Sequence, residues 1–580
     1  MQKIWNVKKP DIALQKIFSQ ELGISSLMAQ LLINRNIVTV SDARQFLNCS
    51  LSDLYSPFLF KGMDKAVLRI KKAIKDKEKI IVWGDYDVDG LTATALLKTV
   101  LKKSGALVEH YIPHRTEEGY GLNIEGIKKI YSNVEANGHS PLLFITVDCG
   151  INSFKEVEFL NNAGIDVIIT DHHQPLGKDL PKAFSIINPL QEGCNYPFKF
   201  LAGVGIAFKL SQALTQEKLF EHLDLVVLGT ISDVVPMTGE NRILARHGLA
   251  QLSKTKKAGL IKLLDKVGIN GKEITAMHAG FLLGPRLNAT GRIGSSDSSF
   301  RLLMAESEKE AIELAGKLND DNKSRQQLEA KTLKEALAKI DKEINFKEHR
   351  VIVLYKDDWH PGVIGIVASR IVERFYRPVI LLSSKEDGSA KGSGRSVDNF
   401  HLFQALVNCK ALLKEFGGHS KACGLSMDPD CINEFRDAIN KYALDMILPQ
   451  ELSPKLTIDA EIPLSLLDEK LISSINGLGP FGPENPKPVF ATRAVTVKTR
   501  PLVLGKNTLK MWVSDGDVTC QAIGFKMAEV FQPADIPDVL DIVYNVGLNE
   551  WQGAISIELN LKDLKGCEID VGAYCNTPLQ

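Results

Sequence analysis

The stretch Ile80-Ile81-Val82-Trp83-Gly84-Asp85-Tyr86-Asp87-Val88-Asp89-Gly90 decides how this chain is read. An apolar run of strand character stops at Gly84, and three carboxylates, Asp85, Asp87 and Asp89, follow at once. Like charges this close raise one another's pKa and destabilise the segment unless a cation neutralises them. A solvated acidic turn is the plain alternative. An EF-hand loop is another, since such a loop opens D-x-D-x-D-G. That loop needs Glu at its twelfth position, which here is Leu96, and a helix before it, where this chain has an apolar strand. The spacing therefore favours a cation site at the end of a strand.

Two further strands end in the same way. Leu142 to Val147 runs into Asp148-Cys149-Gly150, and Asp166 to Thr170 runs into Asp171-His172-His173. From Lys79 to about Asp233 such apolar runs alternate with helix-like stretches. That alternation predicts an α/β fold, a parallel sheet with helices on both faces. In an open parallel sheet, ligands collect at the carboxyl ends of the strands. Asp85, Asp87, Asp89, Asp148, His172 and His173 can thus converge, with Asp233 of GTISDVVP as a further acid after the run Leu225 to Leu228. Carboxylates and imidazoles in this number describe a two-cation site whose oxygen and nitrogen donors suit Mn²⁺ or Mg²⁺. Such a pair, ~3.5–4 Å apart, activates water and stabilises both oxygens of an in-line phosphoryl displacement.

The rest of the chain bounds this reading. At 580 residues and 64.0 kDa, about three to five domains are expected. Lys+Arg and Asp+Glu both number 70, so bulk charge does not hold this protein to DNA or to a membrane. No apolar run approaches the ~20 residues of a membrane span, and the start lacks the features of a secretory signal. The nine cysteines form no CxxC pair and fit reduced thiols in the cytoplasm. Residues 308–345 keep helical spacing and predict a long connecting helix. A second α/β texture follows, with strands at Arg350 to Leu354 and Pro378 to Leu382 around a helix at Val363 to Phe375. After Pro449, Pro454 and Pro463 the texture turns to β, suggesting a small barrel. The Gly- and Pro-rich GLGPFGPENPKP at 477–488 reads as a loop fastening that barrel to the catalytic core. Trp512 is read evenly as core or as a stacking residue.

DYDVDG, VDCG, DHH and SDVVP, in that order, resemble the four motifs of the DHH phosphoesterase superfamily. YIPHRTEEGYGL (111–122), GPRLNATGRIG (284–294), WHPGVIGIVASR (359–370), KGSGRS (391–396) and FGGHSKACG (416–424) extend the resemblance. Together they are similar to the bacterial RecJ family of single-strand-specific exonucleases. The resemblance implies an N-terminal segment 1–60, a DHH catalytic domain 61–300, a connecting helix 301–346 and a DHHA1-like substrate-binding domain 347–450. An OB-like nucleic-acid-binding barrel 451–566 and a tail 567–580 complete it.

The implied reaction is two-metal hydrolysis of single-stranded DNA, 5′→3′, to mononucleotides, in DNA repair and recombination. The implied partners are a single-strand-binding protein and a helicase, with no membrane. By the same resemblance Asp89, Asp148, His172 and Asp233 hold one metal and Asp87 with Asp148 the other. The family's His ligand falls at Trp83, whose indole has no free lone pair, so water and in part Asp85 stand in. His173 faces the scissile phosphate, and Asp171 orients an imidazole. Arg115, Arg286, Asn288, Arg292, Arg395, Ser396 and His419 are the implied substrate contacts. Two other activities share the site chemistry, a phosphodiesterase of very short oligonucleotides or cyclic dinucleotides and a polyphosphatase. A catalytically inert replication scaffold is the reading from another class.

Overall fold

Five parallel strands build the sheet that carries the acidic motifs. They are β1 (Lys79–Gly84), β2 (Leu107–Tyr111), β3 (Leu142–Val147), β4 (Asp166–Thr170) and β5 (Ser185–Ile187). Their spatial order is β2-β1-β3-β4-β5. The structure, a computed structural model, describes residues 3–114, 118–119, 121–136, 142–294, 296–384, 388–551 and 554–567. The chain divides into two units, Cys49–Leu452 and Met1–Asn48 together with Ser453–Gln580.

In the larger unit β1 is buried along its whole length, as strands covered by helices on both faces are. The two-residue period of a strand splits its side chains between two cores. Ile80 and Val82 join one core with Leu143, Ile145 and Ile168. Ile81 and Trp83 join the opposite one with Phe144, Val167 and Ile169. Three helices position the site: α1 (Val88–Lys103), α2 (Gly203–Thr215) and α3 (Leu223–Ser232). The apolar run Leu225 to Leu228 therefore belongs to a helix, and Asp233 caps its C-terminus. Helix α4 (Gly284–Ile293) carries the GPRLNATGRI sequence. The long helix α5 spans Glu308–Glu343, inside the expected segment.

Beyond α5 lies a second sheet. Strand β6 (Ile352–Tyr355) pairs parallel with β7 (Val379–Ser384), flanked by helix α6 (Pro361–Phe375). The antiparallel strands Ala390–Arg395, Ala422–Met427 and Glu415–Gly418 continue it.

The smaller unit is a closed barrel. Strands Phe490–Val497, Val539–Trp551, Ala554–Gly566, Thr519–Gly524 and Thr508–Ser514 pair in that order. Thr496 opposite Ser514 closes the ring. Five strands closed this way are the OB architecture. The N-terminal residues up to Asn48 group with this barrel. Ile4–Val7 pairs parallel with Lys455–Ile458, and Phe18, Leu31 and Leu32 share a core with Leu478, Phe490 and Tyr544. The Gly- and Pro-rich loop fastens these N-terminal helices. Arg35 Nε donates to Asn485 Oδ1 at 2.7 Å and Arg35 Nη2 to Pro486 O at 2.6 Å. Trp512 is 39% exposed, so it is not a core residue. No helix among the described residues is long and apolar enough to cross a membrane. The eight described cysteines are free. Of the tail, residues 568–580 lie outside the described residues.

Candidate metal centre

The order β2-β1-β3-β4-β5 reverses direction between β1 and β3, which opens a crevice at their carboxyl ends. The loop after β1 enters that crevice tightly. A Cβ on Gly90 would lie 2.6 Å from the Asp85 backbone nitrogen, so only glycine lets the loop fold back. Asp87 caps α1, its Oδ1 accepting from Gly90 N at 3.1 Å. Asp148 leaves β3 at φ 62°, in the left-handed region that Asp tolerates better than most residues. Its amide still donates to Thr170 O at 3.0 Å.

These turns bring three donor groups together, their ligand atoms within 4.8 Å of one another: Asp85, Asp87 and Asp148; Asp89, His172 and Asp233; Asp148, His172 and His173. His172 Nε2 lies 3.2 Å from Asp148 Oδ1, 3.6 Å from Asp233 Oδ2 and 4.0 Å from Asp89 Oδ2. Asp89 is held by the start of α2, accepting from Gly203 N at 2.6 Å and Val204 N at 2.8 Å. A carboxylate at a helix N-terminus meets both unpaired amides and a favourable dipole. Asp171 stands in none of these groups. It accepts from Ile151 N at 2.9 Å and from His173 Nδ1 at 2.7 Å, which fixes the second imidazole.

The electrostatics follow from burial and like charge. Burial, then Asp87, pushes Asp89 up to about 7. Burial, then Asp89, pushes Asp233 up to about 9. Asp148 is raised well above the carboxylate range by burial and by Asp89, Asp87, Asp233 and Asp85. Burial and the neighbouring His173 lower His172 to about 4, leaving a neutral imidazole. Burial opposes charge on His173 too, but the bond to Asp171 wins and lifts it to about 9. The pair thus divides into a neutral ligand and a protonated donor.

The donors fit a pair of divalent cations. His172 Nε2 is buried without a hydrogen-bond partner, its lone pair turned to carboxylate oxygens. Hard oxygen donors with imidazole suit Mg²⁺ or Mn²⁺. A pH dependence follows. The raised carboxylates hold protons in the metal-free fold that the unfolded chain has lost above its ordinary value of 3.8. Stability of the metal-free protein therefore falls as pH rises from about 4 through 9. Metal binding needs those oxygens deprotonated. Mn²⁺ should raise Tm more at pH 8 than at pH 6 in thermal scans; an equal shift would refute the protonated cluster.

Trp83 lies in the core beneath this site. Its ring stacks on Tyr111 at 4.5 Å and its Nε1 donates to Gly121 O at 3.3 Å. Asp85, in a donor group with Asp87 and Asp148, supplies the oxygen at this end of the cluster. Trp83→His should cost ~3 kcal/mol in chemical denaturation through the lost buried ring. It should not tighten metal binding, and a tighter Kd would contradict this placement.

The substrate candidates fall into distinct settings. Arg115 lies outside the described residues. Two donors of Arg286 are used inside the fold, Nη1 on Leu282 O at 2.7 Å and Nε on Asn319 at 3.3 Å, which ties α4 to α5. Asn288 Oδ1 accepts from Val88 N at 3.2 Å, bracing the acidic loop from α4. Arg292 and Arg395 converge on the first turns of α6. A Cβ on Gly362 would lie 2.1 Å from Arg292 O, and one on Gly365 2.9 Å from Arg395 Nη2. Ser396 Oγ donates to Phe400 O at 2.8 Å. His419 sits in the turn before Ala422–Met427, where burial, Arg395 and His401 lower its pKa. The amides of Gly203 and Val204 escaped the sequence reading. Their signal was the Gly-x-Gly of LAGVGIAF opening an apolar helix.

The profile of the DHH family, N-terminal domain, matches residues 79–230, the DHHA1 domain 348–445 and the RecJ OB domain 458–563. The single-stranded-DNA-specific exonuclease RecJ of Bacillus subtilis is 39% identical over 561 residues, 96% of this chain and 70% of that protein. Its namesake from Escherichia coli is 34% identical over 528 residues, 87% of this chain and 90% of that protein. The crystal structure of RecJ with Mn²⁺ from Thermus thermophilus superposes with a TM-score of 0.83 at 30% identity. That match covers 97% of this chain and 80% of the other.

Proposed function

This chain belongs to the RecJ family of single-stranded-DNA-specific exonucleases, and from that premise we propose that it hydrolyses single-stranded DNA from the 5′ end to mononucleotides. The observation that carries the reading is the three donor groups, two of them sharing Asp148, at the switch point of the parallel sheet. Asp85, Asp87 and Asp148 would hold one divalent cation, and Asp89, Asp148, His172 and Asp233 the other. Bound there, the cations would polarise the scissile phosphate and lower the pKa of the attacking water.

The chain's own groups do the rest. The Gly203 and Val204 amides keep Asp89 in place. Asp171 holds the Nδ1 proton of His173, so Nε2 presents the other proton to the phosphate or to the departing oxygen. A group near 9 keeps that proton at neutral pH. Arg292 and Arg395, gathered at α6, suit a phosphate of the incoming strand. The barrel provides a surface for single strands, with Trp512 exposed on it. A role in repair and recombination, cytoplasmic residence, and work beside a helicase and a single-strand-binding protein complete the proposal.

The test uses purified protein, Mn²⁺, and single strands labelled at the 5′ or the 3′ end, beside the matching blunt duplex. Immediate release of a labelled mononucleotide from the 5′ label alone, with the duplex inert, is the expected result. Release from the 3′ label first would reverse the polarity. Binding without hydrolysis under any divalent ion would replace the enzyme with a scaffold.

A further inference from the structure

Beside Asp233 the chain exposes apolar side chains that the hydrolytic chemistry does not use. Val234 follows directly, 65% exposed and at φ 61°, a conformation β-branched residues seldom take. Immediately before α4, residues His278–Leu283 form a π-helix, an uncommon form that occurs frequently at functional sites. This turn packs on the end of α3. A Cβ on Gly280 would lie 3.3 Å from Ile231 Cγ2, and one on Gly284 2.6 Å from Ser232 Oγ. Ile231 and Ser232 immediately precede Asp233. With Gly280 and Gly284 against α3, the exposed face presents Met277 (65%) and Phe281 (77%). The turn is continuous with α4, whose Asn288 braces the acidic loop.

A solvated surface gains nothing from an aromatic ring exposed this far, whereas an unpaired nucleobase offers it a flat apolar partner. The phosphate of a single strand held at the cluster would leave its bases unpaired within reach of a ledge that packs on Asp233's own helix.

We infer that Phe281, with Val234 beside Asp233, is a substrate-positioning platform on which one base of the single strand stacks close to the scissile phosphate. This rests on the nuclease reading above and adds a base contact to it. It also favours single strands, because a base in a duplex keeps its partner and cannot turn onto the ring.

The test is a cycle between the ring and the base. Wild-type protein, Phe281→Ala and Phe281→Trp are assayed with Mn²⁺ on 5′-phosphorylated single strands. Each substrate carries one abasic site, at the first to fourth nucleotide. Phe281→Ala should raise KM on intact DNA by about tenfold, the scale of one lost base–aromatic stack. At one position of the series, base removal should raise the wild-type KM by the same factor and leave Phe281→Ala within twofold. Phe281→Trp should restore KM and show indole fluorescence quenched by DNA. Tm should not move, because the ring is exposed.

Equal KM for wild type and Phe281→Ala on intact DNA overturns the platform and leaves the face to a protein partner. Independent effects of ring and base overturn it as well. A wild type that hydrolyses no single strand refutes the nuclease reading itself, a result distinct from either of these.

Discussion

Asp148→Asn should cut hydrolysis of single-stranded DNA by about a thousandfold or more, ~4 kcal/mol of transition-state stabilisation. Asp148 stands in two of the donor groups, with Asp85 and Asp87 in one and His172 and His173 in the other. An amide of the same shape removes the anionic oxygen from both while leaving packing intact. The same change should make the metal-free protein more stable. Asp148 is buried among Asp89, Asp87, Asp233 and Asp85, and its pKa is driven upward for that reason. A group whose folded pKa lies above its unfolded value destabilises the fold as pH rises past the unfolded value. At pH 8 the substitution should therefore raise the Tm of the metal-free protein, because the amide carries no charge to bury among those carboxylates. The Tm shift on adding Mn²⁺ should largely vanish. Denaturation with and without metal checks both signs, and a Mn²⁺ shift as large as the wild type's would remove Asp148 from the centre of the site.

Gly203→Ala should lower kcat by about a hundredfold or more although it deletes no catalytic group. The new Cβ would lie 2.5 Å from Asp148 Oδ1, 2.7 Å from its Cβ and 2.8 Å from its Cγ. These separations are inside van der Waals contact, so either Asp148 or the start of α2 must shift. Moving Asp148 disturbs the donor groups; moving α2 withdraws the Gly203 amide, 2.6 Å from Asp89 Oδ2. Overpacking of this kind costs about 1–3 kcal/mol in stability. Gly177→Ala, with open space around the added methyl, is the control and should behave as wild type. Assays of kcat at saturating substrate on both variants decide the matter, and wild-type turnover in Gly203→Ala would show that the cradle yields freely.

The acidic loops could be read from the chain because their meaning is local. A strand that ends in carboxylates announces itself over a few residues, and a parallel sheet gathers strand ends without further instruction. The same holds for α5, whose apolar spacing recurs over many turns. The N-terminal helices were opaque for the opposite reason. Phe18 and Leu31 pack against Leu478 and Phe490, partners more than four hundred residues away, and short amphipathic helices do not name their partners. Arg286 and Asn288 carry the side chains a phosphate contact needs, yet their bonds run to Asn319, Leu282 and Val88. Residue type states which bonds a side chain is able to make, and only packing states which it does make.

From sequence alone came the strand–helix alternation, the carboxylates and imidazoles, their hard-cation chemistry, and the departure at Trp83. Tertiary structure decided the rest. It set the strand order that joins Asp85 to Asp148, turned Trp83 into the core and placed Gly203 against a carboxylate. It also split the charge between His172 and His173. The division has one physical cause. Strand and helix periodicity arise from neighbours along the chain, whereas burial, close approach and pKa depend on atoms that folding alone brings together.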